Sequence, residues 1–128
     1  MKYYFAKTIY TSFEEARQFI EEKLKTYGFS IVSEIDLHEK FREKLGIDFR
    51  KYKILGACSP KHAYAAISGE EHIGLMLPCN VVLQEKDKNQ VEISIIDPVA
   101  SMQAVENPSL APIASEIRTK LSEIIESL

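Results

Sequence analysis

The stretch ILGACSPKHAYAAI, residues 54–67, joins a predicted strand to a predicted helix and places a cysteine at the junction. The segment RKYKILGAC alternates as a strand does, with successive side chains on opposite faces. Ser59 and Pro60 then have the residue types of an N-cap and a first helical residue, and Gly69 is the predicted helix end. One face of the strand carries Tyr52, Ile54, Gly56 and Cys58, and the other carries Lys53, Leu55 and Ala57.

Upstream of this junction, the pattern predicts two further strands and two helices. KYYFAKTIY alternates as a first strand, and Ser12 with Glu15 forms a capping box that opens a helix ending at Gly28. FSIVSEI is the second strand. Asp36 is then positioned to cap a short helix that ends before Gly46. The residues predicted to face inward from that helix are Leu37, Phe41 and Leu45.

Downstream, GLMLPCNVVLQE and QVEISIID are predicted to form the fourth and fifth strands, joined by the hairpin turn KDKN. Pro78 has no N–H to donate, which predicts an edge position or a bulge for the fourth strand. DPVASMQAVENP is a predicted loop, and Asn107 and Pro108 start a final helix whose apolar residues repeat every three or four positions. Plain alternation in the fourth strand gives a core face of Leu75, Leu77, Cys79, Val81 and Leu83.

These elements follow in the order βαβαβαββα, which predicts one mixed sheet of about five strands with helices packed against it. The fold class is therefore α+β. A chain of 128 residues forms one domain, residues 1–128, and is long enough to bury a core without metal or disulfide support. The hydrophobic fraction of 45% and the charged fraction of 27% are those of an ordinary globular protein.

Charge and hydropathy argue against several classes of function. A formal net charge of −3 without a basic stripe disfavours binding to nucleic acid and adhesion to anionic membranes. The N-terminus lacks the long apolar centre of a secretory signal, and no run is long enough to span a membrane. We therefore expect a cytoplasmic protein. Two cysteines in that compartment predict free thiols, a redox pair or metal ligands.

The two cysteines mark the candidate site. Cys58 lies at the carboxyl end of a strand and just before a helix N-terminus, where the field of the helix would suit an anion and would favour a thiolate. A small buried hydrophobe at a tight junction is the alternative interpretation of Cys58. If the third and fourth strands are neighbours, Cys79 approaches Cys58 near Asp97, and Asn80 beside it offers both donors and an acceptor.

Carboxylates and one histidine extend this site. Glu34, Asp36 and Asp97 lie near predicted strand ends, although a helix cap at Asp36 and a turn at Asp97 are the simpler interpretations. The predicted ligand-binding residues are Glu34, Asp36, Cys58, Cys79, Asn80 and Asp97. A weaker metal-binding pattern consists of Cys58, Cys79, His62 and Asp97. Structural zinc normally takes four nitrogen or sulfur ligands, which this set does not supply.

Three segments of the sequence together form a distinctive motif set: EIDLHEKFREKLGIDFRKYKILGACSP, IGLMLPCNVVL, and a later DP followed by Met102. Their combination, over about residues 34–102, resembles domain-of-unknown-function family 302 (DUF302), a small bacterial and archaeal domain. The resemblance implies an α+β domain and self-association, but no agreed activity. Ser59 and Lys51 stand where the resemblance leads us to expect Asn and Pro. The residues that match motif positions of the family are Glu34, Asp36, Cys58, Pro78, Cys79, Asn80 and Asp97.

Three functions stay open, and neither a reaction nor a cofactor is specified. A binding module would hold a small ligand or a metal in a Cys-lined pocket at the strand ends. A thiol redox enzyme would use Cys58 as an activated thiolate and Cys79 as the resolving thiol. A structural or interaction domain would use the motif residues for packing and for a homodimer contact. We favour the binding module, and we expect a homodimer because an exposed sheet edge at Pro78 would invite pairing.

Overall fold

The described part of the chain forms five strands and five α-helices. The structure is a computed structural model that describes residues 2–128. The strands are β1 (Tyr4–Ile9), β2 (Ser30–Asp36), β3 (Tyr52–Cys58), β4 (Cys79–Asp87) and β5 (Gln90–Ile96). The helices are α1 (Phe13–Thr26), α2 (Leu37–Leu45), α3 (Pro60–Gly69), α4 (Pro98–Ser101) and α5 (Ala111–Glu126). Among these described residues, no helix combines the length and apolar character that crossing a membrane requires.

All five strands pair into one sheet, in the order β1-β5-β4-β3-β2. Every pair of neighbours is antiparallel, which is more uniform than the mixed pairing expected from the sequence. The α+β class and the predicted order of the main elements are confirmed. The predicted hairpin turn joins β4 to β5, with Asn89 at a φ of 53° in the left-handed region that asparagine tolerates.

The side of the sheet that faces the helices forms the main core. α1 and α5 cover this side with residues at helical spacing, as the sequence pattern predicts. The Ser12 hydroxyl accepts the Glu15 N–H at 3.1 Å, so the predicted start of α1 is confirmed. The buried residues of α1 are Phe13, Ala16, Ile20 and Leu24, and those of α5 are Ala114, Ile117, Leu121, Ile124 and Ile125.

The opposite side of the sheet, called the open face below, keeps most of its side chains partly or fully exposed. Gly56 is its buried exception. A Cβ atom at Gly56 would lie 2.5 Å from Cγ of Pro78 and 2.2 Å from Oγ of Ser33, so only glycine fits beneath them. The other residues that pair on this face include Tyr4, Thr8, Ile35, Tyr52, Ile54, Asn80, Val82, Gln84, Glu92, Ser94 and Ile96.

The segment before β4 differs from the predicted strand. Glu71–Met76 forms a 3-10 helix, and β4 begins only at Cys79, after a cis Leu77–Pro78 peptide bond. Leu75, predicted to face the core, is 86% exposed. β4 is also a central strand and pairs with β3 without a register shift, so the prediction that Pro78 marks a sheet edge or a bulge is wrong. Pro78 needs no edge because it precedes the hydrogen-bonded ladder.

Three further predictions, two about α2 and one about the segment before α5, differ from the structure. The apolar stripe of α2 was expected to face inward, yet α2 has no buried residue and Leu45 is 64% exposed. Asp36 occupies the N-cap position of α2 without a side-chain capping hydrogen bond. The predicted loop before the final helix contains α4 and a 3-10 turn at Met102–Ala104. A second 3-10 turn, Pro108–Leu110, leads into α5.

Candidate functional site

A small, largely enclosed cavity lies where β3 ends, β4 begins, and α3 and α5 meet. Its volume is about 30 Å³, and its walls are mostly apolar. The lining residues used below are Cys58, Ser59, His62, Ala66, Cys79 and Met102. A space of this size holds about one water-sized group.

The register of the sheet brings the two cysteines to this cavity. β3 and β4 are neighbours, and Ala57 pairs with Cys79. Strand alternation alone would place Cys58 on the opposite face from Cys79. Cys58 is the last residue of β3, where the chain turns toward α3, and it lines the same cavity as Cys79. Both are free thiols, with Cys79 buried and Cys58 partly exposed.

Burial determines the chemistry of Cys79. Its pKa is raised to about 11, first because burial disfavours the thiolate and then because Cys58 lies close by. Cys79 is therefore a neutral thiol at physiological pH. A neutral thiol is a poor nucleophile and a poor metal ligand, since both roles require the thiolate.

Ser59, His62 and Glu116 form a connected polar group at the edge of the cavity. The Ser59 hydroxyl lies 2.7 Å from Nδ1 of His62, and both residues are buried. Nε2 of His62 lies 3.1 Å from Oε1 of Glu116, within ion-pair range but outside hydrogen-bond geometry. Ser59 holds the predicted N-cap position of α3, yet its hydroxyl does not cap the helix. The polar group thus links the start of α3 to α5.

Asp97 lies outside the wall of the cavity. Its buried carboxylate accepts the Val99 N–H at 3.0 Å and Nε–H of Arg118 at 3.1 Å. The first contact caps α4, and the second ties that short helix to α5. Asp97 therefore has the structural role of a cap and a tether, and its neighbour Pro98 is the residue that lines the cavity.

Glu34 and Asp36 lie at the opposite end of β2 from the strand position that pairs with Cys58. Glu34 accepts hydrogen bonds from Nη2 of Arg17 at 2.7 Å and from Nζ of Lys53. Oδ1 of Asp36 lies 3.5 Å from the same Lys53 nitrogen. The hydrogen bonds from Arg17 and then from Lys53 lower the pKa of Glu34 from 4.5 to about 2. This network ties α1 to the sheet edge.

Asn80 is exposed on the open face, the other side of the sheet from the core. With Tyr4 and Tyr52 it borders a shallow groove of about 330 Å³. The predicted ligand-binding residues therefore occupy different parts of the molecule, and only Cys58 and Cys79 line the cavity together.

The comparisons with known proteins agree with this architecture. A family model described as "Domain of unknown function DUF302" matches residues 5–128. The chain belongs to the DUF302 family. A structure described as "Crystal structure of uncharacterized conserved protein DUF302 from Bacillus stearothermophilus" is similar to this DUF302 domain, with a TM-score of 0.90 and 26% sequence identity over 98% of each chain. No curated protein sequence matches it significantly.

The predicted metal set is not assembled in this DUF302 domain. Within residues 2–128, no group of three or more His, Cys, Asp or Glu side chains is arranged to hold a metal ion. Asp97 turns to Arg118, and His62 lies between Ser59 and Glu116. These contacts hold Asp97 away from the cavity and leave both ring nitrogens of His62 facing Ser59 and Glu116.

Sequence reasoning missed the polar group beside the cavity. Ser59 and His62 are three residues apart, a spacing that brings side chains together on the first turn of a helix. That spacing was a usable local signal. Glu116 had no such signal, because its contact with His62 exists only once α5 packs beside α3.

Proposed function

We propose that this DUF302 domain is a small-ligand binding module and that the ligand occupies the cavity beside Cys58 and Cys79. The observation that carries the proposal is the convergence of both thiols and the buried His62 on one mostly apolar cavity. Small-molecule sites characteristically combine apolar walls with a few placed polar groups. The walls favour a small, largely apolar molecule over an ion.

Met102 gives the cavity a way to enlarge. It lines the cavity of about 30 Å³ and also borders two surface grooves of about 620 and 240 Å³. Methionine is unbranched and flexible, so it adapts to gaps of different shape. Rotation of the Met102 side chain would connect the cavity to a groove and admit a molecule larger than the closed cavity.

The redox alternative is weaker. A resolving cysteine must attack as a thiolate, and burial raises the pKa of Cys79 to about 11. A neutral thiol in an apolar wall suits contact with a ligand better than disulfide exchange. Two free thiols also suit a reducing compartment, which supports our proposal of a cytoplasmic location.

Xenon is the probe that tests the binding proposal, because it is small, apolar and enters cavities without specific contacts. Under xenon pressure, amide chemical shifts should change first around Ala66 and Cys79, which line the cavity. Ala66→Val fills part of this space, so it should weaken the response. Ala65→Val is the matched control, because Ala65 is the exposed neighbour on the same helix.

Shift changes that scatter over the surface, or that are equal in the two variants, would contradict a ligand cavity at this place. Native mass spectrometry of the protein as purified complements the xenon titration. A retained non-protein mass that is lost in Ala66→Val but kept in Ala65→Val would identify the ligand's mass.

A second proposal is that the open face is the contact surface of a homodimer. Among the paired strand positions of the described chain, the charged side chains on this face are Glu92 and, at the hairpin end, Asp87. Its cross-strand partner Gln84 accepts two hydrogen bonds from Arg50, at 3.0 and 2.8 Å. A two-fold axis through this region would set Arg50 of one copy against the partner's Glu92, which pairs opposite charges on a nearly uncharged surface.

Light scattering on wild-type protein and on Val82→Lys tests the homodimer. Val82 is half-buried on the open face, so a new charge there should convert a dimer into a monomer. Ile67→Lys is the control, since Ile67 is 46% exposed on α3 and should leave the mass unchanged. A monomer mass for the wild-type chain at high micromolar concentration would overturn this proposal.

A further inference from the structure

The Ser59 hydroxyl does not make the capping hydrogen bond that is expected of a serine at the N-cap of α3. A serine at an N-cap ordinarily turns its hydroxyl back to an N–H of the first helical turn. Ser59 instead points its hydroxyl at Nδ1 of His62, 2.7 Å away. A residue that has the right type for a local structural role but does not fill it is often a functional residue.

Glu116 determines which ring nitrogen of His62 carries the proton, and therefore whether Nδ1 can accept a hydrogen bond from the Ser59 hydroxyl. A carboxylate oxygen 3.1 Å from Nε2 attracts an N–H and repels a lone pair, so it favours the tautomer with its proton on Nε2. Nδ1 then carries the lone pair and accepts the Ser59 O–H. His62 also lowers the pKa of Glu116, which keeps the carboxylate charged. The three groups therefore have the order of nucleophile, base and supporting carboxylate.

We propose that Ser59, with His62 as its base and Glu116 behind the imidazole, is a nucleophile that accepts small acyl groups from activated esters. Ser59 and His62 both line the cavity, which is where the acyl group would sit. Ser59 is only 9% exposed, and the cavity holds about 30 Å³. Because the closed cavity holds only about one water-sized group, even an acetyl group needs the Met102 side chain to rotate, and the substrate class is restricted to esters of short acyl chains such as acetyl.

The step balances with water as the only further reactant. Oγ of Ser59 bonds to the acyl carbon while its proton moves to Nδ1 of His62, and Glu116 stabilises the resulting imidazolium. The ester C–O bond then breaks, and the leaving alcohol takes the proton from His62. Water attacks the acyl-serine in the same way, which releases the carboxylic acid and restores Ser59.

This inference uses the same cavity as the proposed ligand site but does not require a resident ligand. Xenon shifts at Ala66 report access to the cavity, whereas acyl transfer reports the reactivity of Ser59. Either result can be positive when the other is negative, so the failure of one proposal is distinguishable from the failure of the other.

The test measures p-nitrophenolate release from p-nitrophenyl acetate and locates the acetyl group by peptide mass spectrometry. Every protein carries Cys58→Ala, because a thiol beside the site also reacts with this ester and a serine there would add a second hydroxyl next to Ser59. The expected result is one acetyl group on Ser59 and release that is abolished by Ser59→Ala. Ser68→Ala is the matched control, since the Ser68 hydroxyl only donates to the Tyr64 carbonyl within α3.

His62→Asn keeps a hydrogen-bonding side chain but removes the base, so release should fall by about a hundredfold or more. His72→Asn, at a histidine that is 75% exposed on the surface, should change nothing. Glu116→Gln should lower release by a smaller factor than His62→Asn. Ser59→Cys keeps a nucleophile in place and should accept the acetyl group as a thioester that hydroxylamine cleaves.

Matching thermal melts of all variants establish that each protein is folded. Acetylation confined to lysines or the N-terminal amine, or equal release from the Ser59→Ala and Ser68→Ala proteins, would overturn the proposal. So would full activity in folded His62→Asn, because Ser59 would then act without its base.

Discussion

The two faces of the sheet show what a hydrophobic pattern predicts and what it leaves open. On the side under the helices, Val81, Leu83, Ile93 and Ile95 are fully buried. On the open face, the residues between them, such as Val82, are only partly buried. The alternation of residues along a strand identifies the side of the sheet that faces the core. It does not show whether the other, half-exposed side faces water or a partner protein, because the pattern is the same in both cases.

The largest expected effect is on the side under the helices. Leu121→Ala removes a fully buried side chain of α5, so we expect a loss of about 2–5 kcal/mol in the free energy of unfolding. Ile54→Ala on the open face should cost less than about half as much, because Ile54 is only partly buried. Urea unfolding of both variants measures the difference. Equal losses would mean that the open face is covered as tightly as the core.

Gly56→Ala tests the one place where the open face is closely packed. The Ser33 hydroxyl can rotate away from a new methyl group, but the Pro78 ring has little freedom, so we expect a loss of about 1–3 kcal/mol. Gly74→Ala is the control, since a Cβ there meets nothing within 4 Å. Combining Gly56→Ala with Pro78→Ala should cost less than the sum of the single changes. Strict additivity would show that the two sites do not touch.

A smaller effect is expected at the sheet edge, and it should depend on pH. The folded pKa of Glu34 is lowered from 4.5 to about 2, so its stabilising contribution is complete above about pH 4.5 and is lost as the pH falls toward 2. Because Glu34 is about one-third exposed, solvent screening reduces the contribution, and Glu34→Gln should cost about 1 kcal/mol at pH 7.

Denaturant titrations at pH 7 and pH 2 check this prediction, and most of the difference between wild type and Glu34→Gln should be lost at the lower pH. Glu22→Gln, at an exposed glutamate of α1, provides the comparison and should show no such pH dependence. A difference between wild type and Glu34→Gln that is the same at both pH values would contradict the role assigned to Arg17 and Lys53.

Cys58 and Cys79 should differ in their rate of reaction with iodoacetamide. This prediction involves no change in the free energy of unfolding. With a pKa of about 11, only about one Cys79 in a thousand is thiolate at pH 8. Iodoacetamide should therefore label partly exposed Cys58 first and leave buried Cys79 unmodified until the protein is denatured. Peptide mass spectrometry gives the two rates, and equal native labelling would show that Cys79 is not buried in solution.

Most boundaries of the fold were predictable because they have local causes. Ser12 and Gly28 mark the ends of α1 by capping chemistry that depends on a few neighbouring residues. The start of β4 was not predictable in this way, because the apolar run around Leu75 fits a buried strand as well as a 3-10 turn. The stripe of α2 was misleading since no layer of structure packs against Leu45.

The site was predictable only where it depends on strand neighbours. The expectation that Cys58 and Cys79 approach one another followed from adjacent strands, and the structure places both at one cavity. Asp97 was expected beside them, but its partner Arg118 lies far along the chain, and sequence patterns do not show such pairings. The role of Glu116 was hidden for the same reason. Contacts between side chains that are distant in sequence form only when the helices and the sheet pack together, so patterns in the sequence do not predict them.

The position of the Met102 side chain, between the cavity and the surface grooves, affects how fast a ligand would enter and leave. Its side chain borders both the cavity and the surface grooves, so a ligand that enters by the proposed route needs a change of Met102 rotamer and no opening of the sheet. Rotamer changes are fast compared with the movement of helices. Association would then be limited by encounter, and the lifetime of the complex by the contacts inside the cavity. A stiff aromatic ring at position 102 would slow entry and exit, and because position 102 lines the cavity it would also change the contacts that hold the ligand.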